Sequence, residues 1–402
     1  MSGYSVKRGR SLLNTPGPTN VPERVQRAMV RNPMDLGDPI ALSMIESCFE
    51  DLKKIFKTEH ELFMYAANGH GAWEAALVNT LSPGDLLLVP ELGNFSTGWG
   101  EMAEALQMRT ETIKGDWRQA IDPAKIRDRL AADKNHEIKG ILVIQTDTAT
   151  SVTCDVAAIR KAMDDAGHPA LLFVDTIPTL AVTDFRMDEW GVDVAVSASQ
   201  KGLMMPPGLG FVAASPKALE AHKKATSQRR YWDWSLRLAS ESYRTFCGTS
   251  PQIQLYGLRA ALDMLLEEGL ENVFARHKRL AQATRLAVEH WGQAGAMELN
   301  ALNPDQRADG VTTILLKEGI DGTQIRDVCR DELQCALGGG LRNLSGKAFR
   351  IGHMGDMNEP MLYGALASVE ATFAYLGIPY TPGGVTKAIE YLVECRKRGG
   401  KA

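Results

Sequence analysis

Residues 192–211 read VDVAVSASQKGLMMPPGLGF, and this stretch decides how the rest of the chain is interpreted. An apolar run ends in small hydroxyl residues, presents Lys201, and then breaks at Pro206, Pro207 and Gly208. The pattern predicts a buried strand that ends just before the lysine and is followed by a turn. The lysine is then either a side chain that reaches solvent from the strand end or an amine held within a site.

The chemistry open to Lys201 depends on its surroundings. An amine is a nucleophile only when part of it is unprotonated, and desolvation or a nearby cation lowers its pKa enough for that. The use that fits best is a Schiff base with an aldehyde, which belongs either to a substrate or to pyridoxal phosphate. The rest of the chain must decide between this role and an inert lysine.

The composition limits the classes of function. With 402 residues and 44% hydrophobic content, the chain can bury a large core and is expected to form two domains. A formal net charge of −4 and a pI near 6.1 give no electrostatic reason to expect nucleic acid as a partner.

The cysteines and the apolar segments indicate in which cellular compartment the protein is expected. The six cysteines form no CxxC pair and no zinc-ligand spacing with histidine, so a reduced, cytoplasmic protein without a metal site is expected. The sequence has no signal-peptide core and no window of 18 uncharged apolar residues, so no membrane association is expected.

Short strands alternate with helices through the first half of the chain. Strands are predicted at 62–67, 85–90, 139–146, 170–174, 192–198 and 210–214, and helices at 71–81, 97–106 and 155–166. This alternation predicts an α/β fold with a mainly parallel sheet covered on both faces.

The remaining segments set the domain organisation. Residues 11–22 cannot be helical, because prolines and a glycine fix the backbone, so they either cover a surface or line a site. The segment 251–291 predicts a helical connector interrupted at Gly269, and a smaller α+β unit follows it. We therefore expect an extended N-terminal segment (1–20), a large domain (21–270) and a small C-terminal domain (271–402).

Reactive side chains follow several of the predicted strands. They occur at 68–71, 146–148, 175–176 and 199–201. In open α/β sheets, ligands bind outside the carboxyl ends of the strands. Four such groups on one edge of one sheet predict a site.

Motifs for several other chemistries are absent. There is no GxGxxG after a strand, no GxSxG and no HExxH. Residues 338–348 superficially resemble a P-loop, but Leu341 takes the place of its first glycine and Ala348 that of its Ser/Thr. The sequence therefore does not support hydride transfer, phosphoryl transfer, or the activity of a serine hydrolase or a zinc hydrolase.

The residues that remain are the parts that pyridoxal phosphate chemistry requires. Asp175 either keeps a pyridine nitrogen protonated or caps the turn after its strand. The turn at 68–71 opens a helix and supplies backbone N–H groups for a phosphate. Within it, His70 either stacks on a ring or satisfies the turn, and Phe95 is the better candidate for stacking unless it belongs to the core.

Six motifs occur in order along the chain: TPGPTN (15–20), NGHGAWE (68–74), NTLSPGD (79–85), SQKG (199–202), PPGLG (206–210) and FRIGHMG (349–355). On these motifs the chain resembles the class V, fold-type I, pyridoxal-phosphate-dependent aminotransferases, and most closely their serine–glyoxylate and alanine–glyoxylate branch. The resemblance implies a mainly parallel large domain with a smaller α+β C-terminal domain.

The resemblance also implies roles for individual residues. Lys201 would form the Schiff base and serve as the catalytic base. The residues that would contact the cofactor are Asn68, Gly69, His70 and Gln200 around the phosphate, Phe95 on the ring face, Thr148 at the ring oxygen and Asp175 at the pyridinium. Arg350 would bind the α-carboxylate of the substrate, for which a planar bidentate donor is suited. Thr249 would reach the phosphate bound by the partner subunit, which implies a homodimer.

The implied reaction moves the amino group of a small amino acid to glyoxylate or a similar 2-oxo acid. Serine is favoured as the donor, with alanine and aspartate as alternatives. Three positions depart from the pattern of close relatives, namely Gly37 in place of an arginine, His70 in place of a threonine and Phe246 in place of a tyrosine. We expect these departures near the substrate pocket or the subunit seam, so they leave the amino donor open.

Two other readings stay open at this point. One is a cysteine desulfurase or another lyase of the same fold, for which Cys335 is the candidate nucleophile. It lies in a predicted strand, however, and not on a loop, and Gln200 replaces the histidine that such enzymes place before the lysine. The other reading is a non-catalytic protein that kept the fold for binding.

Overall fold

The structure is a computed structural model and describes residues 7–238 and 245–399. Its strands are β1 (Leu12–Asn14), β2 (Glu61–Ala67), β3 (Leu86–Pro90), β4 (Arg109–Ile113), β5 (Ile138–Ile144), β6 (Thr146–Asp147), β7 (Val152–Thr153), β8 (Leu171–Asp175), β9 (Val194–Ala198), β10 (Gly208–Ala214), β11 (Met297–Leu299), β12 (Val311–Leu316), β13 (Cys335–Gly339) and β14 (Ala348–Gly352).

Helices pack against the seven-stranded and the five-stranded sheet that these strands form. They are α1 (Glu23–Met29), α2 (Pro39–Phe56), α3 (Gly69–Thr80), α4 (Asn94–Ala105), α5 (Pro123–Ala132), α6 (Val156–Asp165), α7 (Pro216–His222), α8 (Trp234–Leu238), α9 (Gln252–Glu268), α10 (Leu270–Trp291), α11 (Gly322–Asp331), α12 (Glu359–Leu376) and α13 (Gly384–Lys397). Among the described residues, none of these helices combines the length and apolar composition needed to cross a bilayer.

The large domain is built on a seven-stranded sheet with the order β2-β10-β9-β8-β5-β3-β4. Its four pairs from β9 to β4 are parallel, whereas β10 runs antiparallel to both β9 and β2. The turn between β9 and β10 is too short for a parallel crossover, which needs a dozen or more residues, so the chain must reverse direction there. The prediction of a mainly parallel sheet is confirmed.

The predicted strands and helices are all present, with ends shifted by at most three residues. Two elements between residues 107 and 137 escaped prediction. The strand β4 reads RTETI and is half-exposed at the sheet edge, so it lacks an apolar run. The helix α5 buries only Ile126 and Leu130, and two apolar residues are too few to reveal a helical period.

The small domain is built on a five-stranded sheet with the order β1-β13-β14-β12-β11. Its edge strand β1 comes from the N-terminus and pairs in parallel with β13. The Asn14 side chain donates to the carbonyl of Gly352 at 3.1 Å, which ties this strand to β14 as well. The proline-rich segment that follows β1 therefore begins at the small domain, and Thr19 at its far end bonds to Gln200 of the large domain.

The two helices of the predicted connector pack in different cores. Leu255, Leu258 and Leu262 of α9 belong to the apolar core beneath the seven-stranded sheet. Val288 and Trp291 of α10 pack in the core of the small domain. The break falls at Gly269, whose φ of +80° favours glycine, as predicted. Each such fully buried apolar side chain stabilises the fold by about 1.5–3 kcal/mol.

Candidate active site

A cleft opens at the carboxyl ends of the parallel strands. Its empty volume is about 570 Å³ with the mouth included, which lies within the usual range for a ligand site. The lining residues are Asn68, Gly69, His70, Trp73, Phe95, Ile144, Thr146, Thr148, Asp175, Ile177, Pro178, Gln200 and Lys201. The fold thus gathers eight of the ten predicted site residues around one space, and only Thr249 and Arg350 are missing from the lining.

Lys201 lies in the turn that follows β9. Ser199 fixes this turn, because its hydroxyl donates to the carbonyl of Pro206 at 2.8 Å and accepts from the N–H of Leu209 at 3.2 Å. The Lys201 amine donates to the carbonyl of Pro16, which belongs to the N-terminal segment. Burial, with help from the positive charge of Arg350, lowers the pKa of Lys201 to about 8. An appreciable fraction of this amine is therefore neutral, and hence nucleophilic, near physiological pH.

Asp175 ends β8 and is only 2% exposed. One carboxylate oxygen accepts from Trp73 Nε1 at 2.8 Å, and the other accepts from the N–H of Ile177 at 2.6 Å. Burial nevertheless raises the pKa of Asp175 to about 7, because these two hydrogen bonds and the charge of Lys201 offset only part of the loss of water. A cationic N–H placed against this carboxylate would stabilise its ionised form.

The start of α3 forms the floor of the cleft. Asn68 caps the helix, and its Oδ1 accepts from the N–H of Gly71 at 3.1 Å. A Cβ at Gly69 would lie 2.5 Å from Cδ1 of Ile177, so only glycine lets the backbone approach this wall. The first N–H groups of a helix have no intrahelical partner, which makes this end of α3 suitable for an anion.

Gln200, which lines the same cleft, has a side-chain oxygen without a hydrogen-bond donor. Its Oε1 is buried and has no hydrogen-bond partner among the residues that the structure describes. A buried polar atom without a partner costs free energy, about 1–3 kcal/mol. A ligand with a donor group would relieve this cost.

Aromatic side chains form one wall. The rings of His70 and Trp73 lie 4.7 Å apart, and Phe95 meets Trp73 edge-on at 6.3 Å. Phe95 is half-buried and lines the cleft, so its ring is available to a ligand. Trp99 stacks on the far side of Trp73 at 5.6 Å and is fully buried, so it belongs to the core.

Arg350 of β14 lies behind the cleft, at its small-domain side. It is 8% exposed, and its guanidinium donates to the carbonyls of Gly339 at 2.7 Å and Thr148 at 3.0 Å. Burial lowers its pKa to about 10, so it stays cationic at neutral pH. Arg350 therefore contacts the segment that presents Thr148 and contributes a positive charge next to Lys201.

Comparison with known proteins decides the family. The Aminotransferase class-V family model matches residues 18–346. This chain belongs to that family. It is 44% identical to the serine–glyoxylate aminotransferase of Arabidopsis thaliana over 97% of both chains, and 40% identical to the L-aspartate–glyoxylate aminotransferase of Paracoccus denitrificans over 94% of both.

A solved structure gives the same result for the fold of this class V aminotransferase. The ureidoglycine–glyoxylate aminotransferase of Bacillus subtilis superposes with a TM-score of 0.88 at 25% identity, covering 96% of this chain and 99% of its own. The predicted family and fold are confirmed, as is the expectation that the chain is an aminotransferase.

Besides Arg350, three predicted positions of the class V aminotransferase lie outside the cleft lining. Thr249 is exposed, just after the stretch 239–244, which is outside the described residues. Gly37 is exposed in a turn before α2. Phe246 is 2% exposed and packs in the core of the large domain, so its side chain does not face the cleft.

Other residues of the aminotransferase cleft were not identified from the sequence. Trp73 is one of them, although its place three residues after His70 and four after Gly69 puts it on the same helix face, which was a usable signal. Pro16 and Gly17 lie directly over Lys201, where residues 11–22 were expected only to cover a surface or line a site. Asp147 was predicted only as part of the strand-end group 146–148, without a role of its own, and it lies outside the lining.

Proposed function

We propose that this class V aminotransferase uses pyridoxal 5′-phosphate to move the amino group of a small amino acid, serine in particular, to glyoxylate or a similar 2-oxo acid. The observation that carries the proposal is the meeting of Lys201 and Asp175 in one cleft, an amine with a lowered pKa and a carboxylate with a raised one. The substrate names of the relatives at 40–44% identity support glyoxylate as the acceptor.

The described residues fit the cofactor. The backbone N–H groups at the start of α3, with Gln200 beside them, would hold the phosphate. Phe95 would cover a face of the ring, Thr148 would bond to the ring oxygen and Asp175 would pair with the ring nitrogen. Asp175 is the most informative of these, because burial raises the pKa of this carboxylate and a cationic ring N–H beside it would favour its ionised form. When bound, the cofactor accepts the electron pair left at the α-carbon of the donor and carries the amino group between substrates.

The residues of the chain then have separate tasks. The Lys201 amine takes the proton from the α-carbon of the donor and later returns it, so one group serves as base and acid. Arg350 orients the substrate through its α-carboxylate, since a guanidinium binds a carboxylate with two parallel hydrogen bonds. Asp175 is 2% exposed, so little water would reach a ring nitrogen paired with it.

A homodimer completes the site in this proposal. Thr249 is exposed and outside the cleft of its own chain, which agrees with a role at the phosphate of a partner subunit. Val30 and Ile40, which flank the loop before α2, are 84% and 69% exposed and would gain from being covered. We expect a dimer by light scattering, and a Thr249→Ala variant that remains dimeric but releases the cofactor faster. The six free cysteines agree with a cytoplasmic enzyme.

Cysteine lyase chemistry is the second candidate, and the structure does not favour it. Cys335 is the first residue of β13, fully buried in the small-domain core, so its sulfur has no access to a substrate. Release of sulfide from cysteine by the purified protein would revive this candidate.

The test is a half-reaction screen on the purified enzyme. The cofactor-loaded protein is mixed with serine, alanine or aspartate, and the absorbance of the bound cofactor is followed. Serine is expected to bleach it fastest, and bleaching by none of the three would refute the proposed substrates. A Lys201→Ala variant should bind cofactor without turnover, whereas Lys223→Ala, which removes an exposed lysine, should behave as wild type.

A further inference from the structure

Helix α4 carries Phe95 in its first turn, yet it has no cap of its own. The N-cap position is Gly93, which offers no side-chain acceptor. The carboxylate of Asp147, from the short strand β6, takes over this function: its Oδ2 accepts from the N–H of Phe95 at 2.7 Å and from that of Ser96 at 3.3 Å. The backbone that carries the Phe95 side chain is therefore held by a side chain more than 50 residues away in sequence.

The second oxygen of the same carboxylate fixes another wall of the cleft. Oδ1 of Asp147 accepts from the N–H of Ala149 at 2.9 Å, which holds the turn that presents Thr148. Phe95 and Thr148 both line the cleft, whereas Asp147 does not. One carboxylate thus connects the start of α4, which carries Phe95, to the turn that carries Thr148.

The surroundings of Asp147 are built for a compact carboxylate. It is fully buried, and a Cβ at Gly93 would lie only 2.5 Å from its Cγ. Gly93 has an extended backbone that any residue can adopt, so it is the space beside Asp147 that requires glycine here. Burial raises the pKa of Asp147 to about 6, and the three N–H donors and the charge of Arg350 act in the opposite direction. The group is therefore mainly ionised at neutral pH, as a helix cap should be.

We propose that Asp147 is a positioning residue, whose carboxylate holds Phe95 and Thr148 at the mutual orientation that the cofactor ring requires. It acts through these two residues and does not touch the cofactor itself. The part that concerns the cofactor rests on the proposed function. The part that concerns the two walls can be tested on the cofactor-free protein.

The test compares Asp147→Asn with a matched cap elsewhere. An asparagine keeps the shape but turns an N–H₂ group towards one set of N–H donors, so either α4 or the Thr148 turn loses its acceptor. In the cofactor-free protein, hydrogen–deuterium exchange of peptides covering 94–97 or 148–151 is expected to become roughly fivefold to tenfold faster. Asp155→Asn is the matched control: Asp155 caps α6 through one oxygen, which accepts from the N–H of Ala158 at 2.9 Å, and an asparagine keeps an acceptor there, so exchange at the start of α6 should stay close to that of the wild type.

The second readout is cofactor binding. Asp147→Asn is expected to weaken the circular dichroism of the bound cofactor and to speed its release about tenfold, whereas Asp155→Asn changes neither. If Asp147→Asn does not fold, Gly93→Ala perturbs the same carboxylate from the other side and should give the same pattern. Wild-type exchange in both peptides, or equal cofactor loss in the Asp147 and Asp155 variants, would overturn the inference. Failure of every amino acid to bleach the cofactor would instead count against the proposed function and leave the exchange result standing.

Discussion

A methyl group at Gly17 should disable Lys201 without unfolding the protein. Gly17 has a φ of +117°, and its Cβ would lie 2.5 Å from Cε and 2.6 Å from Cδ of Lys201. Non-bonded carbon atoms pack at about 3.5–4.0 Å, so the lysine side chain must move by about 1 Å to make room. We therefore expect Gly17→Ala to misplace the amine that the proposed reaction uses.

The size of the effect follows from two separate contributions. A non-glycine residue at this φ costs about 1–3 kcal/mol of backbone strain, which lowers the free energy of unfolding. A misplacement of about 1 Å in a catalytic group costs roughly a hundredfold in rate. Because the far end of a lysine is flexible, the steric conflict should be relieved by moving Lys201, and its cost should appear in the rate more than in stability.

Gly84 provides the matched control for this prediction. Its φ is +88°, but nothing lies within 4 Å of where its Cβ would be. Gly84→Ala should therefore lower the melting temperature by a similar few degrees and leave the rate of cofactor bleaching by serine unchanged. Thermal unfolding and stopped-flow absorbance measure the two quantities. Equal bleaching rates in the two variants would show that the N-terminal segment does not constrain Lys201.

Two further predictions concern the charged groups around the cleft. In the cofactor-free protein, the pKa of Asp175 is about 7 when folded and near 4 when unfolded. Between these values the folded state binds more protons, so the free energy of unfolding should fall as pH rises from about 4 to about 7. Asp175→Asn should flatten this pH dependence in urea titrations, and an unchanged dependence would contradict the argument from burial. Arg350→Gln should lower kcat/KM about a hundredfold, because the proposed contact with the substrate carboxylate is lost. The control Arg330→Gln, which removes an exposed arginine, should leave kcat/KM unchanged. A wild-type KM for the amino donor in Arg350→Gln would exclude the role proposed for Arg350.

Much of the fold follows from local sequence patterns. The strands from Leu86–Pro90 to Val194–Ala198 are short apolar runs separated by helices, and such runs determine a parallel sheet almost by themselves. The polar edge strand β4 carries no such signal, because an edge strand is only half-buried. The helix break at Gly269 was visible because a single glycine interrupts a long periodic segment.

The cleft was predictable wherever a residue directly follows a strand. Asp175 and Lys201 were found in this way, because the carboxyl ends of parallel strands meet at one edge. Asp147 also follows a strand, but its role depends on its contact with the start of α4, which no local pattern reveals. Phe246 departs from the family pattern, which predicted a place near the substrate pocket or the subunit seam; its side chain packs in the core and does not line the cleft, and the prediction about the seam is untested.

The N-terminal segment is attached at two points, one in each domain. Asn14 is bonded to Gly352 in the small domain, and Thr19 is bonded to the carbonyls of Gln200 and Lys201 in the large one. Only four residues span the gap, so their number limits how far the small-domain sheet can lie from the turn that carries Lys201. Inserting or deleting one residue here would shift the register of β1 by one and turn its side chains to the opposite face of the sheet. Chain length between positions 14 and 19 therefore bears directly on where Pro16 and Gly17 lie relative to Lys201.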